Sequence, residues 1–177
     1  MPTTYDRLRA GLQHAKRRKR WASLTDLTAD ILDRKPSAFR RRSGAAADPA
    51  NYLQDPAIRT ILKWAGTFGL LEENDEGAVR LTETGRAALA SDDAFARQIR
   101  AAVKSYLESR GLPMEVILEL INGIALPDVP DAETIADAAA KRQPPTDLLN
   151  SELRTLLFML SCAAGLDRKV KVFYGSK

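Results

Sequence analysis

Between Asp55 and Leu89 the spacing of apolar residues changes twice, and this limits the fold more than any other feature of the chain. Asp55–Pro56 reads as a helix start, with Asp as N-cap and Pro at the first helical position, where its missing N–H is not needed. Ile58, Ile61, Leu62, Ala65 and Phe68 then recur at helical spacing, which predicts a helix over 56–69 with these side chains on its buried face. Beyond Leu70–Leu71, Glu72-Glu73-Asn74-Asp75-Glu76-Gly77 reads as a turn. Ala78-Val79-Arg80-Leu81-Thr82 alternates as a strand does, so the pair predicts a short β-hairpin. Thr84-Gly85-Arg86-Ala87-Ala88-Leu89 returns to helical composition. The expected fold class is therefore mainly α with a small β-hairpin.

The rest of the chain is punctuated in the same way. Tyr5, Leu8, Leu12 and Ala15 predict an amphipathic helix over 4–20 that ends in Lys16, Arg17, Arg18, Lys19 and Arg20, with His14 on its polar, solvated side. Ser23 reads as the N-cap of a second helix, with Asp26 at the third helical position and Leu24, Leu27, Ile31 and Leu32 apolar, ending near Lys35–Pro36. Residues 36–50 form a basic loop holding Arg40, Arg41 and Arg42. The clearest helix is 93–110: Phe95, Ile99, Ala102, Val103 and Tyr106 share one face, Arg97, Arg100 and Lys104 the other, and Gly111 is its stop. Three more helices are predicted at 113–124, 131–142 and 146–164, and Lys169–Tyr174 alternates as a strand.

The stretch Ile61–Glu72 resembles the third helix of a winged helix-turn-helix domain as it enters its wing. Arg80–Leu89 is similar to the end of the wing in many bacterial winged-helix proteins, where a strand closes with Leu-Thr and a Gly-Arg turn starts the next helix. In this reading Thr82 caps the following helix and Gly85 lets it pack closely. Residues 113–174, three helices and one strand, resemble a second, degenerate copy. The resemblance implies a tandem winged helix-turn-helix architecture. Its parts are an N-terminal winged helix over 1–91, a linker helix over 92–111 and a degenerate winged-helix-like domain over 112–177.

Charge suggests the partner. Residues 1–45 hold 12 Lys and Arg against 4 Asp, a net charge of about +8, while the other 132 residues carry about −4. A local excess of this size points to a polyanion. The resemblance implies that the helix before the wing enters the major groove of double-stranded DNA, which leaves Arg59, Thr60, Lys63 and Thr67 to face outward. Arg59 and Lys63 are one turn apart and can reach the same groove. Arg17, Arg18, Lys19, Arg20, Arg40, Arg41 and Arg42 are candidate phosphate contacts. The stripe Arg97, Arg100 and Lys104 is a second candidate surface, and Arg168, Lys169, Lys171 and Lys177 a third. Glu72, Glu73, Asp75 and Glu76 oppose this picture: either the wing points away from DNA or the module binds protein. Residues 148–166 are apolar nearly all round, as a helix buried in its own core or in an interface would be, so a homodimer or larger complex is a second partner expectation. Cys162 within it reads as a small core residue.

Other classes find no support. One cysteine forms no internal disulfide, and one histidine with one cysteine cannot complete a structural zinc site, so no metal or cofactor is expected. Phosphate-binding, dinucleotide-binding and nucleophile-elbow motifs are absent, which predicts a non-catalytic protein. No apolar run approaches membrane-span length and the N-terminus has no secretory h-region, so a soluble cytoplasmic protein is expected. The leading expectation is a winged-helix DNA-binding protein, a transcription regulator or the DNA-engaging subunit of a larger complex such as a defence or restriction system. The alternative is an adaptor whose winged helices bind partner proteins.

Overall fold

The computed structural model describes residues 3–18, 21–27, 56–124, 131–142 and 146–164. They are mainly helical, with one small antiparallel sheet of three strands. The chain divides into two compact units, Met1–Phe95 and Ala96–Lys177. The expected helix beyond Leu27, the basic loop 36–50 and the strand 169–174 lie outside the described residues.

The first unit begins with α1 (Thr4–Arg17), opened by a reciprocal capping box between Thr3 and Asp6. Leu8, Leu12 and Ala15 are buried as their spacing predicts. His14 corrects the expectation of a solvated side chain, because it is buried too. It lies one turn beyond Gly11, also buried, so the covered arc of α1 is wider than the leucine stripe alone. Strand β1 (Ala22–Ser23) follows, and residues 24–27 are helical. The Ser23 hydroxyl accepts from the Asp26 amide at 3.0 Å, the N-cap its sequence predicts.

Helix α2 (Pro56–Thr67) runs into strands β2 (Leu71–Glu73) and β3 (Ala78–Leu81), then α3 (Glu83–Ala88). The sheet order is β1-β3-β2, with Leu71 opposite Leu81 and Ala22 opposite Val79. In this register Leu71, Val79, Leu81 and Ala22 are all buried, while Glu72 and Arg80 face solvent. Helix α1 packs on α2 and β3, closing the core over Ile58, Ile61, Trp64 and Leu70.

Helix α4 (Asp92–Ser109) starts at Ser91, whose hydroxyl accepts from the Ala94 amide at 3.0 Å. It ends at Gly111, φ +73°, with the Leu112 amide bonded to the Leu107 carbonyl and the Gly111 amide to the Glu108 carbonyl. This is the paired closure that a left-handed residue makes possible, and it bears out the stop expected at Gly111. The second unit continues with α5 (Met114–Asn122), α6 (Ala132–Ala140) and α7 (Asn150–Ala163). Helix α7 packs against α6, and Leu153, Leu156, Leu157, Met159 and Leu160 are covered within a single copy of the chain. Cys162 is half-buried.

A polar clasp ties α6 to α7. Arg154 meets Glu133 at 3.2 Å and Asp137 at 3.1 Å, and the Asn150 side-chain amide donates to Asp137 at 2.8 Å. The Asn150 bond first, and the Arg154 bond second, hold the Asp137 carboxyl below the usual carboxylate range. The lowered value makes the clasp stabilising at pH above the ordinary Asp pKa, and that stabilisation is lost as pH falls through the folded value. Asp137→Asn is therefore expected to flatten the decline of thermal stability between about pH 5 and pH 3. Melting curves across that range check it, and an unchanged slope would remove Asp137 from the account.

Candidate nucleic-acid interface

Helix α2 has two unlike faces. Ile58, Ile61, Trp64, Ala65 and Phe68 are buried, and they anchor the helix through an apolar arc of about one third of its circumference. The Trp64 and Phe68 rings stack with centroids 5.5 Å apart. On the opposite arc Arg59, Lys63 and Thr67 are exposed and follow one another at four-residue spacing, with Thr60 half-buried beside them. The expected outward set is thus brought together on one face. The Lys63 ammonium lies 5.0 Å from the Trp64 ring centroid, a cation–π contact that steadies it at the rim of the apolar face.

The end of α2 is fixed tightly. Gly69 adopts φ +64°, its amide bonds the Gly66 carbonyl at 2.9 Å, and the Leu70 amide bonds the Ala65 carbonyl at 2.8 Å. This closure satisfies two terminal carbonyls and turns the chain directly into β2. Thr82 ties the same corner from the other side. Its hydroxyl donates to the Gly69 carbonyl at 2.7 Å and accepts from the Gly85 amide at 3.0 Å, capping α3 as its sequence predicts. A rigid join between α2 and the hairpin follows from these bonds.

The hairpin itself is acidic. Its tip is organised by Asn74, whose side-chain oxygen accepts from the Glu76 and Ala78 amides, with Gly77 at φ +75°. Glu72, Glu73, Asp75 and Glu76 are exposed or at the rim. Arg80, the hairpin's one cation, is paired with Glu72 and lies over the Trp21 ring, 4.3 Å from its centroid. The Trp21–Arg80–Glu72 stack was not expected from sequence. The nearest signal is that Glu72 and Arg80 become direct cross-strand neighbours once the hairpin register is known.

The remaining candidates are placed as follows. Arg17 and Arg18 are exposed at the end of α1, whereas Lys19, Arg20, Arg40, Arg41 and Arg42 lie outside the described residues. On α4, Arg97 is exposed and Lys104 half-buried. Arg100 departs from the expected open stripe: its guanidinium donates to the Ala163 carbonyl at 2.6 Å, at the C-terminus of α7, where a cation complements the helix dipole. Among the described residues no three His, Cys, Asp or Glu side chains converge as a metal site, and no helix is long and apolar enough to cross a membrane. No family model, no curated protein and no solved structure matches this chain.

Proposed function

We propose that the first unit is a winged-helix module that binds duplex DNA through the outward face of α2. The observation that carries the reading is the pairing of an anchored apolar face with an exposed arc of Arg59, Lys63 and Thr67, Thr60 half-buried beside it, on a helix that turns directly into an antiparallel hairpin. A helix of this width fits the major groove, where arginine can read guanine and lysine can hold a phosphate. The net charge of about +8 over residues 1–45 supplies sequence-independent attraction to the same polyanion. The second unit, three helices following α4, is read as a degenerate second copy. The chain would act as a transcription regulator or as the DNA-engaging subunit of a larger complex, in defence or restriction for example.

Fluorescence anisotropy of a random duplex of about 30 base pairs tests this at low and at physiological salt. The wild-type chain is expected to bind at micromolar concentration or tighter at low salt and to weaken steeply with added salt. Arg59→Ala/Lys63→Ala should lose most of the affinity and flatten the logarithmic salt slope by about 2, one phosphate-type contact for each cation removed. Unaltered binding by the double variant would exclude α2 as the contact.

The acidic hairpin favours a second reading, that of an adaptor binding a basic protein. Its one arginine is already engaged by Glu72 and Trp21, so the hairpin offers little to a phosphate. Absence of duplex binding by the wild-type chain, even at low salt, would select this reading.

A further inference from the structure

The outward arc of α2 contains a glycine that no contact among the described residues requires. Gly66 lies three positions beyond Lys63 and seven beyond Arg59, so all three share one side of the helix. It is exposed, and a Cβ built on it meets no heavy atom of the described residues within 4 Å. Its φ is not positive, so an L side chain is accommodated there without backbone strain. The duty of terminating α2 falls to Gly69, which does adopt a positive φ. A glycine inside a helix lowers stability relative to alanine. Among the described residues that loss is returned by no close contact, and Gly66 adopts no positive φ.

We propose that Gly66 is the point of closest approach between α2 and the sugar–phosphate backbone of duplex DNA. The missing Cβ serves the partner and not the fold. This rests on the DNA-binding reading of α2 and adds a residue to it. A bare backbone patch one turn from Lys63 lets the helix seat deeper against the groove wall, with a Cα–H available to a phosphate or sugar oxygen. Deeper seating in turn brings Arg59 within reach of base edges, where a shallower helix would touch only phosphates.

The test uses the full chain with Gly66→Ala and Gly66→Gln, alongside Arg59→Ala/Lys63→Ala, each measured by thermal unfolding and by duplex anisotropy. Gly66→Ala is expected to raise Tm by about 2–4 °C while weakening duplex binding about tenfold. Gly66→Gln, also a good helix former, should keep Tm at or above the wild-type value and weaken binding further. Opposed signs in stability and binding are what a glycine kept for a partner predicts. The proposal is overturned if Gly66→Ala binds as tightly as wild type while the Arg59/Lys63 variant loses binding, because α2 then engages DNA without using the glycine. A fall in Tm for Gly66→Ala would overturn it as well, by assigning the glycine to the fold. Binding retained by the Arg59/Lys63 variant marks a different failure, that of the reading of α2 itself.

Discussion

Trp64→Ala is expected to cost about 3–5 kcal/mol, the range for deleting a fully buried aromatic ring. The side chain is 2% exposed, stacks on Phe68, and belongs to the apolar face that holds α2 to the rest of the first unit. Domains are typically stable by only about 5–15 kcal/mol, so one substitution would consume a large share of that margin. Urea unfolding followed by far-UV circular dichroism measures the loss as a drop in midpoint. Intrinsic fluorescence provides a second signature, because the chain has two tryptophans and the other, Trp21, is 38% exposed. The folded variant should therefore lose the blue-shifted part of its emission. Trp64→Phe keeps a ring against Phe68 and should cost clearly less than alanine. A midpoint shift equivalent to less than about 1 kcal/mol for the alanine variant would show that α2 is not anchored through this ring. It would also undercut the rigid presentation of Arg59 and Lys63 on which the binding argument depends.

How far the sequence reveals this architecture depends on the range of each interaction. Features set by neighbours within one or two turns are legible. Ile58, Ile61, Ala65 and Phe68 are buried at their predicted positions, Ser23 and Thr82 cap where their hydroxyls suggest, and Gly111 ends α4. Trp64 belongs to the same stripe, three residues after Ile61 and four before Phe68, and its burial is what helical spacing implies even though the apolar set read from sequence omits it. Strand β1 is not legible, because two residues carry no alternation. It is a strand only by virtue of pairing with β3. Arg100 is the clearest case of long-range override. Its spacing places it in a cationic stripe with Arg97 and Lys104, yet it bonds a carbonyl 63 residues away. His14 is misplaced for a related reason, since the arc of α1 that is covered depends on what packs against it.

The candidate interface divides along the same line. The outward placing of Arg59, Lys63 and Thr67 follows from helical periodicity alone. Gly66 stands in the sequence as a glycine near a helix end, close to Gly69, and either one could serve as the terminator. Only the observed dihedrals assign that task to Gly69 and leave Gly66 without one. The hairpin's cation follows the opposite course. Arg80 is the one cation among the wing's acids in the sequence, and the register sets it opposite Glu72 while the sheet order brings β1, with Trp21 just ahead of it, alongside.

Gly85→Ala is expected to act in the opposite direction to the same change at Gly66, and the comparison isolates the role of each Cβ. At Gly85 an added Cβ falls well inside van der Waals contact of the Leu70 carbonyl oxygen, and lies 2.6 Å from Leu81 Cδ2 and 3.1 Å from the Leu70 carbonyl carbon. The oxygen cannot simply retreat, because it accepts the Thr82 amide at 3.1 Å at the join between α2 and the hairpin. Leu81 is 2% exposed, so its methyl has little room either. Relief must come from moving α3 away from β3, which strains the Thr82 cap that binds Gly85. Overpacking of this kind costs about 1–3 kcal/mol and occasionally more, against which the helix-propensity gain of alanine returns at most about 1 kcal/mol. With backbone atoms as the obstacle, the net expectation is a loss of about 1–2 kcal/mol, read as a lower urea midpoint at unchanged slope. Stability equal to wild type would mean that α3 packs less closely on the hairpin than described. A loss at Gly85 beside a gain at Gly66 would show that the first glycine is required by the fold, and would leave the second to be explained by what α2 meets outside it.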